Sequence, residues 1–385
     1  MTAPLSPAPA APAGAEHTHR EISQQPELWQ RVDRIVADDR PRLDAFLAPL
    51  LADPRLRIVL TGAGTSAYAG EILRAALAAH TGRRVDAIAT TDIVADPHGC
   101  LGEDLPTLLV SFARSGNSPE STAATAAASA LLGTCAHLIV TCNAEGDLAR
   151  LHQDRSDSHV VLMPPEAEDR GFAMTSSLSC MLLAVLLVLG RRPEGGVDPL
   201  AQAARAVVGD ALGARIDAFT ADAPDRVVYL GSGALKALAG ESALKLLELT
   251  GGAVVSWADS SLGFRHGPKA FLTDRTSVVV YVSNDPYTRR YDLDILAEMR
   301  AALPPGRVVA VAGRPEGLPD DEGTWLLPGM ADADDAALAL PAVVCAQRVA
   351  LNASLGRGIR PDNPFPDGEV NRVVQGVTVY PLSGR

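Results

Sequence analysis

The chain has few aromatic residues and few positive charges. Phe, Trp and Tyr make up 4% of its 385 residues while hydrophobic residues make up 47%, so the core has to be built from alanine, leucine and valine. The 34 basic residues are outnumbered by 46 acidic ones, which gives a formal net charge of −12. Since an acidic chain repels a phosphate backbone, nucleic acid is a poor partner. A small anionic ligand is not excluded, because one local site can outweigh the overall charge.

The chain also lacks the patterns of a disulfide framework or a metal site. Its five cysteines are an odd number, none forms a CxxC pair, and no HExxH segment occurs. We therefore expect reduced, buried cysteines in a cytoplasmic protein without a metal centre. The longest apolar run, residues 178–189, is shorter than the ~20 residues that span a bilayer. It predicts a buried core helix and no membrane partner.

The start of the chain shows no signal peptide pattern. The first sixteen residues are rich in Pro and Ala, so we expect a disordered tail over residues 1–24. Beyond it, short apolar strands alternate with helices, which is typical of an α/β fold with parallel sheets covered on both faces. Residues 195–221 predict a linking helix. We therefore expect a first domain with an N-terminal helix at 25–195 and a second domain at 196–385.

The hydrophobic pattern also predicts the individual elements. Strands are expected at 57–60, 105–112, 137–141, 159–163, 226–230, 276–282 and 307–312, and long helices at 25–51, 67–80, 119–132, 234–249 and 335–355. Pro41 stands in the middle of the first helix and is expected to break it.

The two halves resemble each other. Gly62 and Gly64 precede the first helix of one half, and Gly231 and Gly233 take the same places in the other, 169 residues later (231 − 62). The next strong strands begin 170 residues apart. These landmarks indicate an internal duplication, although any two α/β units share a strand-glycine-helix start.

A glycine loop at 62–66 follows a strand and opens a helix. Free N–H groups at a helix start attract anions, and Gly64 allows a close approach of the backbone. Thr65 and Ser66 add hydroxyl donors. The loop lacks the third glycine of GxGxxG and the lysine of a P-loop, so a purely structural turn explains it about equally well.

A second polar loop at 111–120 follows the next strand. Ser118 fits the N-cap of the helix that begins at Pro119, which a merely structural reading also explains. That reading does not account for Ser111, Arg114 and Ser115 together. Because both loops lie at the carboxyl ends of parallel strands, we predict that they bind a phosphate monoester.

Two further segments carry ionisable residues. Glu241, Lys245 and Glu248 are spaced i, i+4, i+7 and share one face of a helix whose other residues are mostly apolar. They are either an exposed ion pair or a partly buried acid–base set. His266 lies in a loop bounded by Gly263 and Gly267, and it is either a surface residue or a catalyst.

Together these stretches resemble the sugar isomerase (SIS) family in its tandem-domain form. The segments that carry the resemblance are TGAGTSAYAGE, SFARSGNSPES, LIVTCNAEGDLA, YLGSGALKALAGESALKLLEL and LGFRHGPKAFL, with NPFPDGEVNRVVQGVTVYP near the C-terminus. The last one is similar to the bacterial galactosamine-6-phosphate deaminase/isomerase group, also called tagatose-6-phosphate ketose/aldose isomerases. The resemblance implies an α/β fold of two tandem SIS domains, each a flavodoxin-like three-layer sandwich.

The resemblance also implies residue roles. In relatives the Thr and Ser residues of the two glycine loops bind the sugar 6-phosphate. This transfers to Thr65, Ser66, Ser115 and Ser118, with Ser111 and Arg114 as helpers.

The acid–base roles transfer from the isomerase domain of glucosamine-6-phosphate synthase. Glu248 would carry the proton between C1 and C2, Lys245 would stabilise developing charge, and Glu241 would orient its neighbours. His266 would open the sugar ring from the partner subunit, which implies a homodimer or a dimer of dimers. A proton shift between adjacent carbons needs no cofactor.

Two departures from the synthase stand out. Gln375 occupies the place of a C-terminal lysine, which puts that lysine's role in doubt. The first cysteine is Cys100 and the chain holds no glutaminase domain, so we expect the reaction to run toward ammonia release. Three alternatives are a plain aldose–ketose isomerase, a non-catalytic sugar-phosphate sensor and a structural dimerisation module.

Overall fold

A computed structural model of the protein describes residues 12–374 and 376–382. It contains two parallel sheets of five strands each. The first consists of β1 (Arg57–Thr61), β2 (Arg84–Ala87), β3 (Thr107–Ala113), β4 (Cys135–Thr141) and β5 (Ser158–Leu162). The second consists of β6 (Arg226–Gly231), β7 (Val255–Ser260), β8 (Thr276–Val282), β9 (Val308–Ala312) and β10 (Thr324–Leu326).

The two sheets have the same topology. The first has the order β2-β1-β3-β4-β5, and the second reads β7-β6-β8-β9-β10 from the corresponding edge. This is the flavodoxin-like order 2-1-3-4-5, which places a switch point between the first and third strands of each sheet. The predicted fold class is confirmed, and the matching order supports the duplication.

Thirteen α-helices lie within the described residues. They are α1 (Glu16–Ser23), α2 (Gln25–Leu51), α3 (Thr65–Thr81), α4 (Thr90–Ala95), α5 (Pro97–Leu101), α6 (Pro119–Leu131), α7 (Asp147–His152), α8 (Ser176–Leu189), α9 (Asp198–Val208), α10 (Asp210–Ala221), α11 (Ala234–Leu249), α12 (Thr288–Ala302) and α13 (Asp335–Leu355).

Alternate residues of the central strands point into different cores. Leu60 and Val110 of the first sheet and Tyr229 and Tyr281 of the second belong to one large core, which also contains α8 and α13. The opposite faces pack in smaller cores against α4 and α6 in one half and against α12 in the other. The main core is therefore shared by the two halves.

The two most apolar helices lie in this shared core. All residues of α8 are buried, which confirms the buried helix predicted at 178–189. Helix α13 is long and apolar enough to cross a membrane, but it is almost entirely buried against α8, α9, α10 and α11. It is therefore a core helix of the fold.

The prediction of a disordered tail over residues 1–24 is wrong for the last residues of that range. Residues 16–23 form α1, and Ile22 is buried in the shared core. The backbone N–H and the hydroxyl of Thr18 both donate to Asp362 Oδ1 at 2.7 Å. Contacts with distant residues thus order a segment whose local composition predicted disorder. Residues 1–11 lie outside the described part of the chain.

Two further expectations about helices are wrong. Helix α2 continues through Pro41, because one face of it, including Trp29 and Leu43, is buried in the core and compensates for the missing N–H. The expected linking helix is two helices, α9 and α10, which meet at Gly209. The expected domain boundary at 195/196 falls between α8 and α9.

Candidate active site

The glutamates and the lysine of α11 form a buried charged cluster. Helical spacing places Lys245 Nζ 3.6 Å from Glu241 Oε1, and the same ammonium donates to Glu248 Oε2. The side chains of Glu241 and Lys245 are fully buried, whereas that of Glu248 is 26% exposed. Burial lowers the pKa of Lys245, but its interactions with Glu241 and Glu248 outweigh this effect and the net shift is upward. The sequence allowed either an exposed ion pair or a partly buried set, and the structure shows the buried set.

Glu241 lies at the contact between the halves of the protein. Thr65, the first residue of α3, donates to Glu241 Oε1 at 3.4 Å, and Oε2 has no partner within the described residues. Burial raises the pKa of Glu241 to about 8, although the charge of Lys245 opposes the shift. Glu241 is therefore mostly protonated near neutral pH. The two halves also touch beside it, since the ring of Tyr68 from α3 lies against Gly240, which has no room for a Cβ atom.

The first glycine loop has the conformation of an anion-binding turn. Gly64 caps α3 with φ 55° and ψ −125°, a backbone that L-residues rarely adopt. Thr65 and Ser66 are both buried at the helix start. Thr65 thus belongs to the predicted phosphate loop and also touches the charged cluster of α11. Ser66 lies 3.9 Å from the sulfur of Met174, a neighbour that the sequence did not indicate.

The second loop lies beside the first one. Thr61 and Ser111 are opposite each other in the β1–β3 pair, and the buried hydroxyl of Ser111 has no partner within the described residues. Buried hydroxyls are usually hydrogen-bonded, so this oxygen is suited to a bound ligand. Ser115 accepts from the N–H of Asn117, and Ser118 bonds Ser121. Ser118 is the N-cap of α6, but it does not cap a backbone N–H.

Arg114 connects this loop to the rest of the site. Its guanidinium is buried and donates to the main-chain oxygens of Phe172 (3.3 Å) and Arg372 (2.6 Å). Its positive charge also lowers the pKa of Lys245, which shows that the two side chains are close. Arg114 therefore lies near both the predicted phosphate loops and the cluster on α11.

A loop that the sequence analysis missed supports these contacts. Asp169 is fully buried and accepts from the backbone N–H groups of Thr175, Ser176 and Ser177 at 2.7–3.0 Å, which fixes the start of α8. Its main-chain oxygen also accepts from Arg372. The polar segment DRGFAMTSS before an apolar run was a signal for such a cap. The approach of Arg372 depends on the tertiary fold and has no local signal.

His266 has no hydrogen bond to the other predicted residues. It is exposed, and its imidazole makes no hydrogen bond to any described residue. Its loop is held in place, since Arg265 and Lys269 both donate to Glu298. Gln375 lies outside the described residues.

The comparisons with known proteins agree with this architecture. The SIS domain profile matches residues 50–190, which contain the first sheet and both loops that are predicted to bind phosphate. The chain belongs to the SIS domain family, as its motifs suggested.

Full-length relatives specify the group within the family. A Streptomyces coelicolor relative that carries the AgaS name is 61% identical over all 385 residues of both chains. A Shewanella D-galactosamine-6-phosphate deaminase AgaS is 43% identical over 372 residues, covering 96% of this chain and 93% of that one. The crystal structure of an Escherichia coli tagatose-6-phosphate ketose/aldose isomerase superposes with a TM-score of 0.87 at 39% identity, covering 98% of this chain and all of that one.

The raised pKa of Glu241 predicts how stability depends on pH. The folded protein keeps this proton up to about pH 8, whereas an unfolded chain releases it near its ordinary value of about 4.3. The glutamate therefore lowers the free energy of unfolding as pH rises from about 5 to 8. E241Q cannot lose a proton, so its melting temperature relative to wild type should rise by about 5 °C over this range. Thermal unfolding at several pH values measures this difference.

The exposed Glu194 provides the control, since E194Q should follow wild type at every pH. Melting curves of E241Q and wild type that stay parallel between pH 5 and 8 would show that Glu241 is already ionised in the folded protein.

Proposed function

We propose that this protein converts galactosamine 6-phosphate into tagatose 6-phosphate and ammonia. The observation that carries the proposal is the contact between Thr65 of a phosphate loop and the buried acid–base cluster of α11. It supports a site in which one half of the chain holds the phosphate and the other acts on the sugar carbons. The names of the full-length relatives support the same amino sugar phosphate.

The substrate's phosphate would bind at the starts of α3 and α6. Hydroxyls of Thr65, Ser66, Ser111, Ser115 and Ser118 surround this place, and the two helix dipoles favour an anion there. Gly64 lets the backbone approach the phosphate oxygens. Arg114 would help to bind the phosphate from a position beside it, because its guanidinium already donates to two main-chain oxygens.

Glu248 is the group best suited to move the proton. Its carboxylate is partly exposed and bonded to Lys245, so it can reach a substrate while its partner stays buried. It would remove the proton from C2 of the open-chain sugar and return it at C1, giving an enolamine and then a ketimine. Lys245 would stabilise negative charge that develops on the substrate oxygen.

Hydrolysis completes the reaction. Water adds to the ketimine carbon, the C–N bond breaks, and ammonia leaves with the ketose 6-phosphate. The hydrogen that leaves C2 is balanced by the one gained at C1, so no net oxidation occurs. The neutral Glu241 would hold the ammonium of Lys245 in position.

Ring opening is assigned to His266 from a partner subunit. The exposed imidazole on a fixed loop supports this role, and it makes the active enzyme a homodimer with shared sites. We place the enzyme in the cytoplasm, where its five free cysteines would remain reduced.

Ammonia release tests the reaction directly. Purified enzyme should release ammonia from galactosamine 6-phosphate and not from its N-acetyl form, because an acetylated nitrogen cannot leave as ammonia. Glucosamine 6-phosphate, which differs at C4, is offered in parallel to establish the epimer. Ketose formation from a neutral aldose phosphate without any ammonia would instead favour the plain isomerase, and thermal stabilisation without turnover would favour the sensor.

Glu248→Gln should reduce kcat by about 10²–10⁴-fold, because an amide cannot exchange the C2 proton. KM should change little, since the phosphate is held by the other half of the chain. The matched control E194Q alters an exposed glutamate and should retain full activity. Wild-type turnover by E248Q in the ammonia assay would remove Glu248 from the mechanism.

Shared sites can be tested by mixing two inactive variants, His266→Ala and Glu248→Gln. If His266 acts across the interface, half of the randomly mixed dimers are heterodimers, and each restores one of its two sites. The mixture should then regain about a quarter of wild-type activity after subunit exchange. Activity that stays at the level of the parent variants would place His266 outside the partner's site.

A further inference from the structure

A buried carboxylate lies at the carboxyl edge of the second sheet. Asp292 of α12 has no exposed surface. Its Oδ1 accepts from the hydroxyls of Ser232 (2.6 Å) and Ser261 (2.5 Å), and its Oδ2 accepts from the backbone N–H of Ser283 (3.0 Å). The mechanism proposed above does not use this residue.

The three donors come from three neighbouring strands. Ser232, Ser261 and Ser283 immediately follow β6, β7 and β8, which are adjacent in the order β8-β6-β7. Ser232 also belongs to the glycine turn that opens α11. This is the switch point of the sheet, where doubly wound folds bind their ligands. The carboxylate of Asp292 therefore lies at the switch point of the second sheet.

The first half has the same backbone at this place. Gly233 caps α11 with φ 57° and ψ −125°, almost the angles of Gly64 before α3. The N–H of Ser261 donates to the main-chain oxygen of Gly231, as the N–H of Thr90 does to that of Gly62. Ser261 and Thr90 are thus equivalent positions of the duplicated fold.

The side chains differ between the halves. In the first, the hydroxyls of Thr61, Thr90 and Ser111 are buried and have no partner within the described residues. In the second half, the carboxylate of Asp292 lies at the corresponding place and accepts from the groups around it. The helix that starts there carries Ala234 and Leu235 where α3 carries Thr65 and Ser66, so it offers no hydroxyl to a phosphate.

We infer that Asp292 is an internal anion that fills the ligand position of the second half in place of a phosphate. This half therefore contains a permanently occupied carboxylate site, and the described residues leave a sugar phosphate only the position in the first half. Arg289, which donates to the main-chain oxygen of Ser283, lies close enough to stabilise the charge. The position in the first half rests on the proposed function, whereas the carboxylate site of the second half rests on the contacts of Asp292 alone.

Chemical rescue tests the inference. Asp292→Ala removes the carboxylate and leaves two hydroxyls and one N–H without an acceptor, so its melting temperature should fall by about 5 °C or more. Formate carries the same two oxygens and is small enough to replace the lost group. At roughly 100 mM it should recover at least about a third of the loss, whereas chloride at equal ionic strength should not.

The control is Asp294→Ala, which changes an exposed aspartate of the same helix. If formate raises the melting temperature of wild type and D294A as much as that of D292A, the site does not bind a carboxylate and the inference is overturned. An unchanged melting temperature of D292A overturns it as well.

Should D292A fail to fold, Asp292→Asn provides the measurement, because it keeps the shape but presents an NH2 group to one of the donors. It should melt a few degrees below wild type. D292N that melts with wild type would show that the negative charge has no role at this position.

Discussion

The need to neutralise a buried ammonium organises this protein. Lys245 has no exposed surface, and an unpaired charge in such a place would cost several kcal/mol. Glu248 of the same helix accepts a hydrogen bond from it and provides the counter-charge, and Glu241 lies 3.6 Å away and accepts a hydrogen bond from Thr65 of the opposite half of the chain. The cluster therefore lies where the two halves meet. The same contact joins the first glycine loop to the charged cluster of α11.

The two halves have diverged in chemistry while keeping their backbone. Both have the same strand order and nearly the same glycine turn before the first helix. In one half the turn is followed by hydroxyl side chains, and in the other by apolar ones and then by the ionisable face of α11. The two halves therefore share one backbone geometry, and a few side chains distinguish their two helix starts.

Much of the fold could be predicted from the sequence, and the failures have physical causes. The expected ranges of β8, α11 and α13 match the observed ones, because long apolar or helical runs have unambiguous periodicity. Strands β2, β7 and β10 were missed since all three are edge strands, and β2 carries charged residues. Helix α12 was missed because its exposed face is strongly charged. The order in α1 comes from contacts with distant residues such as Asp362.

The candidate site was predictable to a similar extent. Helical spacing alone placed Glu241, Lys245 and Glu248 together, and the carboxyl-edge rule placed the two loops side by side. The contacts of Arg114 with Phe172 and Arg372 could not be foreseen, since both partners are distant in sequence. The same is true of the link between Thr65 and Glu241.

The shared core makes the two halves depend on each other. Because α8, α13 and the inner faces of both sheets form one hydrophobic cluster, neither half covers its inner sheet face without the other. A chain cut between α8 and α9 would therefore leave apolar surface of both pieces exposed to water.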